Sequence, residues 1–285
     1  MKGVGGPVWR VGERAFDCSE RTLVMGILNV TPDSFSEDGR FFDPEEAVRH
    51  AAQMVSEGAD VVDVGGESTR PGSDPVPDDE EIRRVLPVIE RIVQQNPDLP
   101  ISIDTRKAEV ADRALAAGAS VVNDVSAGGD PGMLDIVRKH EAAIVLMHMK
   151  GEPKTMQEAP EYEDVVGEVH EFLRERIEAA EFAGIDAERI AIDPGIGFGK
   201  NLEDNLELMR RIDAFPDLGR PVLVGPSRKR FIGTLLDAPE DERIEGTIGA
   251  VAWLVSRGAH IVRVHDVREV VRAVRVIDAI VRAGR

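Results

Sequence analysis

SEGADVVDVGG, residues 56–66, decides the fold. Small residues lead to Gly58, a valine-rich run follows, and the run ends in polar and glycine positions. The phrase returns, with variation, as LAAGASVVNDV (115–125), EFAGIDAERIAIDPG (181–195) and VSRGAHIVRVHDV (255–267). In each copy the glycine suits the left-handed position just past a helix, which costs a residue without a Cβ nothing. The Val/Ile run behind it does not alternate with polar residues, so it fits a strand covered on both faces, as in a parallel sheet.

Completing the pattern gives eight strands, at 22–30, 61–65, 101–105, 121–125, 143–149, 190–195, 222–227 and 261–266. Helical patterns lie between them, among them 78–95, 162–184 and 267–284. Asp43 with Glu46 reads as a capping box for the first helix, and Pro44 suits its first position. Strand and helix alternating eight times predict a (β/α)₈ barrel forming one domain over 1–285, with the first 20 or so residues as a hairpin over one end. An open doubly wound sheet is the competing architecture, but no GxGxxG follows the first strand to support it.

The formal charge of −18 and a pI near 4.8 repel nucleic acid and anionic membranes, so neither is an expected partner. Cys18 is the sole cysteine, which excludes an intrachain disulfide and a thiolate zinc cluster. The opening MKGVGGPVWRVGER lacks the apolar segment of a secretory signal, and no stretch approaches the roughly 20 apolar residues of a membrane helix. A soluble cytoplasmic protein is the expectation.

In such a barrel the chemistry sits where strands end. The ends here are Asn29, Asp63, Asp104, Asn123 with Asp124, His148, Asp193, Ser227, and Arg263 with His265. Any one of these is as readily a helix cap as a ligand contact, and His148 between two methionines reads as a hydrogen-bonded core residue. Together they imply a polar mouth. Arg263 and His265, two apart, share a strand face; either both point inward toward an anionic or aromatic partner, or Val262 and Val264 do. Glycine-rich loops follow three strands, including VGGESTRPGSDP (64–75) and PGIGFGKN (194–201). Thr69 and Arg70 are donors suited to phosphate, and SRKRF (227–231) sets a hydroxyl and three cations at an expected helix start. The set suits a ligand with a donor-bearing head and an anionic tail. Any metal would be hard and oxygen-liganded.

Eight motifs in order, MGILNVTPDSFS, VDVGGESTRPG, ISIDT, NDV, LMHMKGEPKTMQ, DPGIGFGKN, VGPSRKRFIG and RVHDV, resemble those of the dihydropteroate synthase family from about residue 22 to the C-terminus. The resemblance implies a transferase of folate biosynthesis that joins 6-hydroxymethyl-7,8-dihydropterin diphosphate to p-aminobenzoate. It implies a pterin site of Asp104, Asn123, Met147, Asp193, Lys229 and Arg263, and a diphosphate site of Asn29, Thr69, Arg70 and His265, with Mg²⁺ on Asn29. Pro32, Phe35, Thr69, Pro71, Phe198 and Ser227 match positions around the aminobenzoate. Asn29, Arg70, Lys229, Arg263 and His265 would carry the chemistry. Family members are typically homodimers, and a C-terminal helix face is the expected contact. The first loop departs from the family's common SFSDGGR, reading SFSEDGR with Glu37 and Asp38. A corrinoid-linked methyltetrahydrofolate methyltransferase, or a silent pterin-binding paralogue, is the alternative. The first would not need the diphosphate pocket.

Overall fold

The structure, a computed structural model, describes residues 6–31, 44–68, 72–152, 154–158 and 160–283. It opens with an antiparallel pair, β1 (Val8–Val11) and β2 (Arg14–Asp17). Eight parallel strands follow: β3 (Leu23–Asn29), β4 (Val61–Gly65), β5 (Ile101–Asp104), β6 (Val121–Asp124), β7 (Ala143–Met147), β8 (Ile190–Asp193), β9 (Leu223–Val224) and β10 (Ile261–Val264). Their spatial order is β8-β7-β6-β5-β4-β3-β10-β9, and a parallel bridge between Ile192 and Val222 joins the two ends. The sheet therefore closes into the (β/α)₈ barrel.

Around it lie α1 (Pro44–Glu57), α2 (Asp78–Gln95), α3 (Ala108–Ala116), α4 (Met133–Lys139), α5 (Val165–Phe182), α6 (Leu202–Arg210), α7 (Arg230–Leu236), α8 (Ile244–Ser256) and α9 (Val267–Val281). The four repeated glycines act as the sequence predicts. Gly58, Gly118, Gly184 and Gly258 have φ between 92° and 110°. Behind each, paired bonds close the helix, as in Gly58 N–H to Val55 O at 3.0 Å and Ala59 N–H to Met54 O at 2.9 Å. These turns drop the chain into the next strand within a few residues. Asp43 of the expected capping box lies outside the described residues; Asn201 and Asp204 form such a box at α6.

Strand parity divides the core in two. Val24, Leu28, Val62, Val64, Ile103, Val122, Ile144, Leu146, Val262 and Val264 pack outward beneath the helices. Leu23, Met25, Val61, Val121, Ala143, Val145, Ala191, Leu223 and Ile261 fill the barrel interior with Trp9, Val11 and Cys18 from the hairpin. Trp9 is fully buried, so β1 and β2 plug the end opposite the strand tips. Strand β9 is far shorter than the expected 222–227 because Pro226 has no N–H for the ladder.

Candidate active site

Once Val262 and Val264 face the helices, Arg263 must face inward. Its Nε donates to Asp63 Oδ2 and its Nη2 to Asp104 Oδ2, each at 2.5 Å. Asp63 Oδ2 also accepts from Asn123 Nδ2 at 3.0 Å. These four residues form a network across the barrel, from β10, β4, β5 and β6. A guanidinium as deeply set as this one, 18% exposed, persists only when its charge is matched. Burial works against its charge, and Asp63 and Asp104 outweigh that, so the Arg263 pKa is raised. Burial pushes Asp104 up to about 7, with Arg263 pulling the other way. Its second oxygen, Oδ1, is buried with no partner among the described residues. A buried acceptor left without a donor is one that a ligand or water can satisfy.

Across the mouth, β8 ends at Asp193, buried, with Oδ1 accepting the Gly195 N–H at 2.7 Å. Burial raises its pKa, and the nearby Lys229 charge opposes the rise. Lys229 precedes α7, donates to Ile196 O, and stands 4.1 Å from the centre of the Phe198 ring. Burial pushes the Lys229 ammonium down to about 7 although Asp193 favours its charge. Met147, at the tip of β7 and in register with Asp193, adds an apolar wall. A cation, two carboxylates and a flat guanidinium thus share one end of the barrel.

The SRKRF stretch differs from expectation. Helix α7 begins only at Arg230. Arg228 adopts φ 56° and pairs with Asp266, with Nε–Oδ2 at 3.0 Å, so its charge is matched within the protein. Of the three cations, Lys229 alone is among the mouth residues. Ser227 is buried, and its hydroxyl lies 3.0 Å from His265 Nδ1 while accepting the His265 N–H at 3.2 Å. Two contacts from one hydroxyl hold both the backbone and the ring of His265 in place. Ser227, expected at the aminobenzoate, also holds His265. Asn29 stands beside the same mouth: a Cβ on Gly65 would meet Asp104 Cβ at 3.5 Å and Asn29 Oδ1 at 3.8 Å. Pro32, Phe35, Thr69, Arg70 and Pro71, with Glu37 and Asp38, lie outside the described residues.

Sequence reasoning left two site residues without a role. Asp63 was one polar strand end among many; a lone charge inside a valine run was its signal. Lys200, one of seven lysines, is 1% exposed and holds Gly195 O and Phe198 O, each at 2.9 Å, and His148 Nδ1 at 3.0 Å. Burial lowers Lys200 to about 7 and, with the Lys200 charge, lowers His148 to about 3. His148 is the hydrogen-bonded core residue the sequence predicts.

Gly197, at φ 85°, matters to this geometry because a Cβ there would lie 2.7 Å from Lys229 Cδ. Gly197→Ala is expected to cost about 1–2 kcal/mol of stability from the left-handed backbone and to displace Lys229. Thermal melts and a pterin titration read both effects, and wild-type values in the two would contradict this packing.

The comparisons with known proteins agree with the geometry. Residues 25–265 match the family described as pterin binding enzyme. The chain belongs to that family. Dihydropteroate synthase of Bacillus subtilis (strain 168) is 47% identical over 271 residues, 95% of this chain and 92% of that protein. The Xanthomonas albilineans dihydropteroate synthase structure with 4-aminobenzoic acid is 49% identical, with a TM-score of 0.91 over 98% of this chain and all of that one. The same enzyme in complex with 7,8-dihydropteroate gives 46% identity and a TM-score of 0.87, over 98% and 100%. Within the pterin-binding enzymes this chain carries the dihydropteroate synthase function, that of a transferase in folate biosynthesis.

Proposed function

We propose that the chain condenses 6-hydroxymethyl-7,8-dihydropterin diphosphate with p-aminobenzoate, giving 7,8-dihydropteroate and diphosphate. The observation that carries this reading is the convergence of Asp104, Asp193, Lys229 and Arg263 at one mouth. The amino-pyrimidinone edge of a pterin offers an exocyclic NH₂ beside a ring N–H. With Oδ1 held by Gly195, Asp193 would meet that edge as a charge-assisted acceptor. Asn123 and the free oxygen of Asp104 would take further ring groups, Lys229 would donate to the ring carbonyl and a ring nitrogen, and the Arg263 plane would stack on the ring.

In the reaction the methylene C–O bond breaks with its electron pair on diphosphate. The aniline nitrogen forms the new C–N bond and gives its proton to solvent. Positive charge developing at the methylene spreads into the dihydropterin ring, which the acidic mouth favours. Holding the two rings in line is the protein's other contribution; Phe198 would face the aminobenzoate. Thr69, Arg70 and His265 would receive the diphosphate, with His265 oriented by Ser227. Pro32, Phe35 and Pro71 would close over the second ring.

Asn29 would hold Mg²⁺ here, its side-chain carbonyl being the hard oxygen donor that ion prefers. Asn29 makes no side-chain hydrogen bond among the described residues, and its Oδ1 lies on the Asp104 side of Gly65. The rest of the ion's oxygens would have to come from outside this residue, as is usual for Mg²⁺. When bound it neutralises charge on the leaving diphosphate. Asn29→Ala is therefore expected to raise the Mg²⁺ concentration for half-maximal activity about tenfold with little change in melting temperature. An unchanged requirement would remove Asn29 from the metal site.

Among the described residues no helix is long and apolar enough to cross a membrane; we place the protein in the cytoplasm and read 1–285 as one domain. We also take it to be a homodimer. The expected contact is the face of the C-terminal helix α9, where Val276 and Ile280 are 61% and 72% exposed; the apolar groove of α6, α7 and α8, with Leu235, Leu236 and Trp253 exposed, is a second candidate. The test of the activity is diphosphate release, which should require both p-aminobenzoate and Mg²⁺. Release at an equal rate without p-aminobenzoate would contradict the reading.

A further inference from the structure

Asp63 sits in the middle of β4 with no solvent exposure. Its Oδ2 accepts from Arg263 Nε at 2.5 Å and Asn123 Nδ2 at 3.0 Å. Strand β4 is bonded to β3 and β5, whereas these donors come from β10 and β6. One carboxylate therefore fixes two side chains from strands that are not its neighbours.

The chemistry of each donor makes that bond directional. The asparagine amide has a donor end and an acceptor end. Turning Asn123 over would set Oδ1 against Asp63 Oδ2, two acceptors in contact. The carboxylate thus forces Oδ1 to be the end left for a ligand. Arg263 is held at Nε by Asp63 and at Nη2 by Asp104, so both its position and its plane are fixed. A guanidinium on one bond swivels; one on two does not.

We propose that Asp63 is a positioning residue for pterin recognition, one that touches no substrate but sets the amide sense of Asn123 and the plane of Arg263. The inference rests on the assignment of Asn123 and Arg263 to the pterin. A merely structural role, in which Asp63 only balances a buried cation, makes different predictions. Balance needs a negative charge nearby; positioning needs the oxygen in its present place.

Two variants of the full chain separate these accounts. Asp63→Asn keeps the volume and removes the charge. Asp63→Glu keeps the charge and moves the oxygen by about one methylene. Each is titrated with 7,8-dihydropteroate by calorimetry, with the KM for p-aminobenzoate and the Arg263 Nε–H resonance measured alongside. Positioning predicts at least a tenfold loss of affinity in both variants and a shifted Nε–H resonance, with the aminobenzoate KM within twofold of wild type. If Asp63→Asn fails to fold, Asp63→Glu alone carries the test. Affinity within twofold of wild type in Asp63→Glu overturns the proposal and leaves charge balance. Failure of the functional reading looks different: wild-type protein would then bind no dihydropteroate, and Asp193→Ala would change nothing.

Discussion

Asp193→Ala weakens pterin binding by about 2–5 kcal/mol, the expected cost when one partner of a buried, charge-assisted pair is removed. Two donors on the ring edge lose their acceptor, and the Gly195 N–H loses its own. The Lys229 ammonium loses the anion that favours its charge, so its pKa falls further below its usual range. Asp193→Asn is the informative companion. It keeps the Gly195 acceptor but offers one donor edge to another, so it should recover folding and little of the affinity. Titration calorimetry with a pterin decides the matter: affinity within a few-fold of wild type in Asp193→Ala would mean that the carboxylate does not meet the ring edge.

Lys229→Met should lower kcat/KM by about 10³-fold, roughly 4 kcal/mol, while making the protein more stable near neutral pH. Both effects have one cause. Burial holds the folded Lys229 at about 7, whereas an unfolded lysine titrates near 10.5. Between those values the unfolded chain binds more protons than the folded one, so stability rises with pH across this window. The cost of burying Lys229 is fully present below pH 7 and vanishes as pH approaches the unfolded value. Its removal should therefore raise stability by about 1–3 kcal/mol at pH 6–7, less than the full shift because Asp193 loses a neighbour. By pH 10 the gain should be gone. Denaturant melts at the two pH values test the sign, and a variant that is less stable at pH 6 would show that Lys229 supports the fold. The trade of stability for function is typical of a binding site.

The barrel was readable because its signals are local. A glycine past a helix and a β-branched run need only neighbours in sequence, and Gly58, Gly118, Gly184 and Gly258 adopt the conformation their context demands. The inward direction of Arg263 was not readable from parity alone, since Val262 and Val264 were equally good interior residues. Closure of the sheet decided it, by giving those valines helices to pack on. Lys229, Asp193 and Asp104 could be found because they end strands or follow them. Asp63 could not, because its role depends on partners 60 and 200 residues away. The bond from Ser227 to His265, 38 residues on, was hidden for the same reason. Lys200 gave no local clue beyond its rarity, as its acceptors are backbone carbonyls.

A crystal of this protein soaked with 7,8-dihydropteroate would test most directly whether the strand tips form one pterin-gripping mouth. The ring should lie flat against the Arg263 guanidinium, its amino edge within about 3 Å of Asp193 Oδ2, with Lys229 at the opposite ring edge. A ring bound elsewhere, or one that leaves Asp193 and Arg263 untouched, would contradict the account.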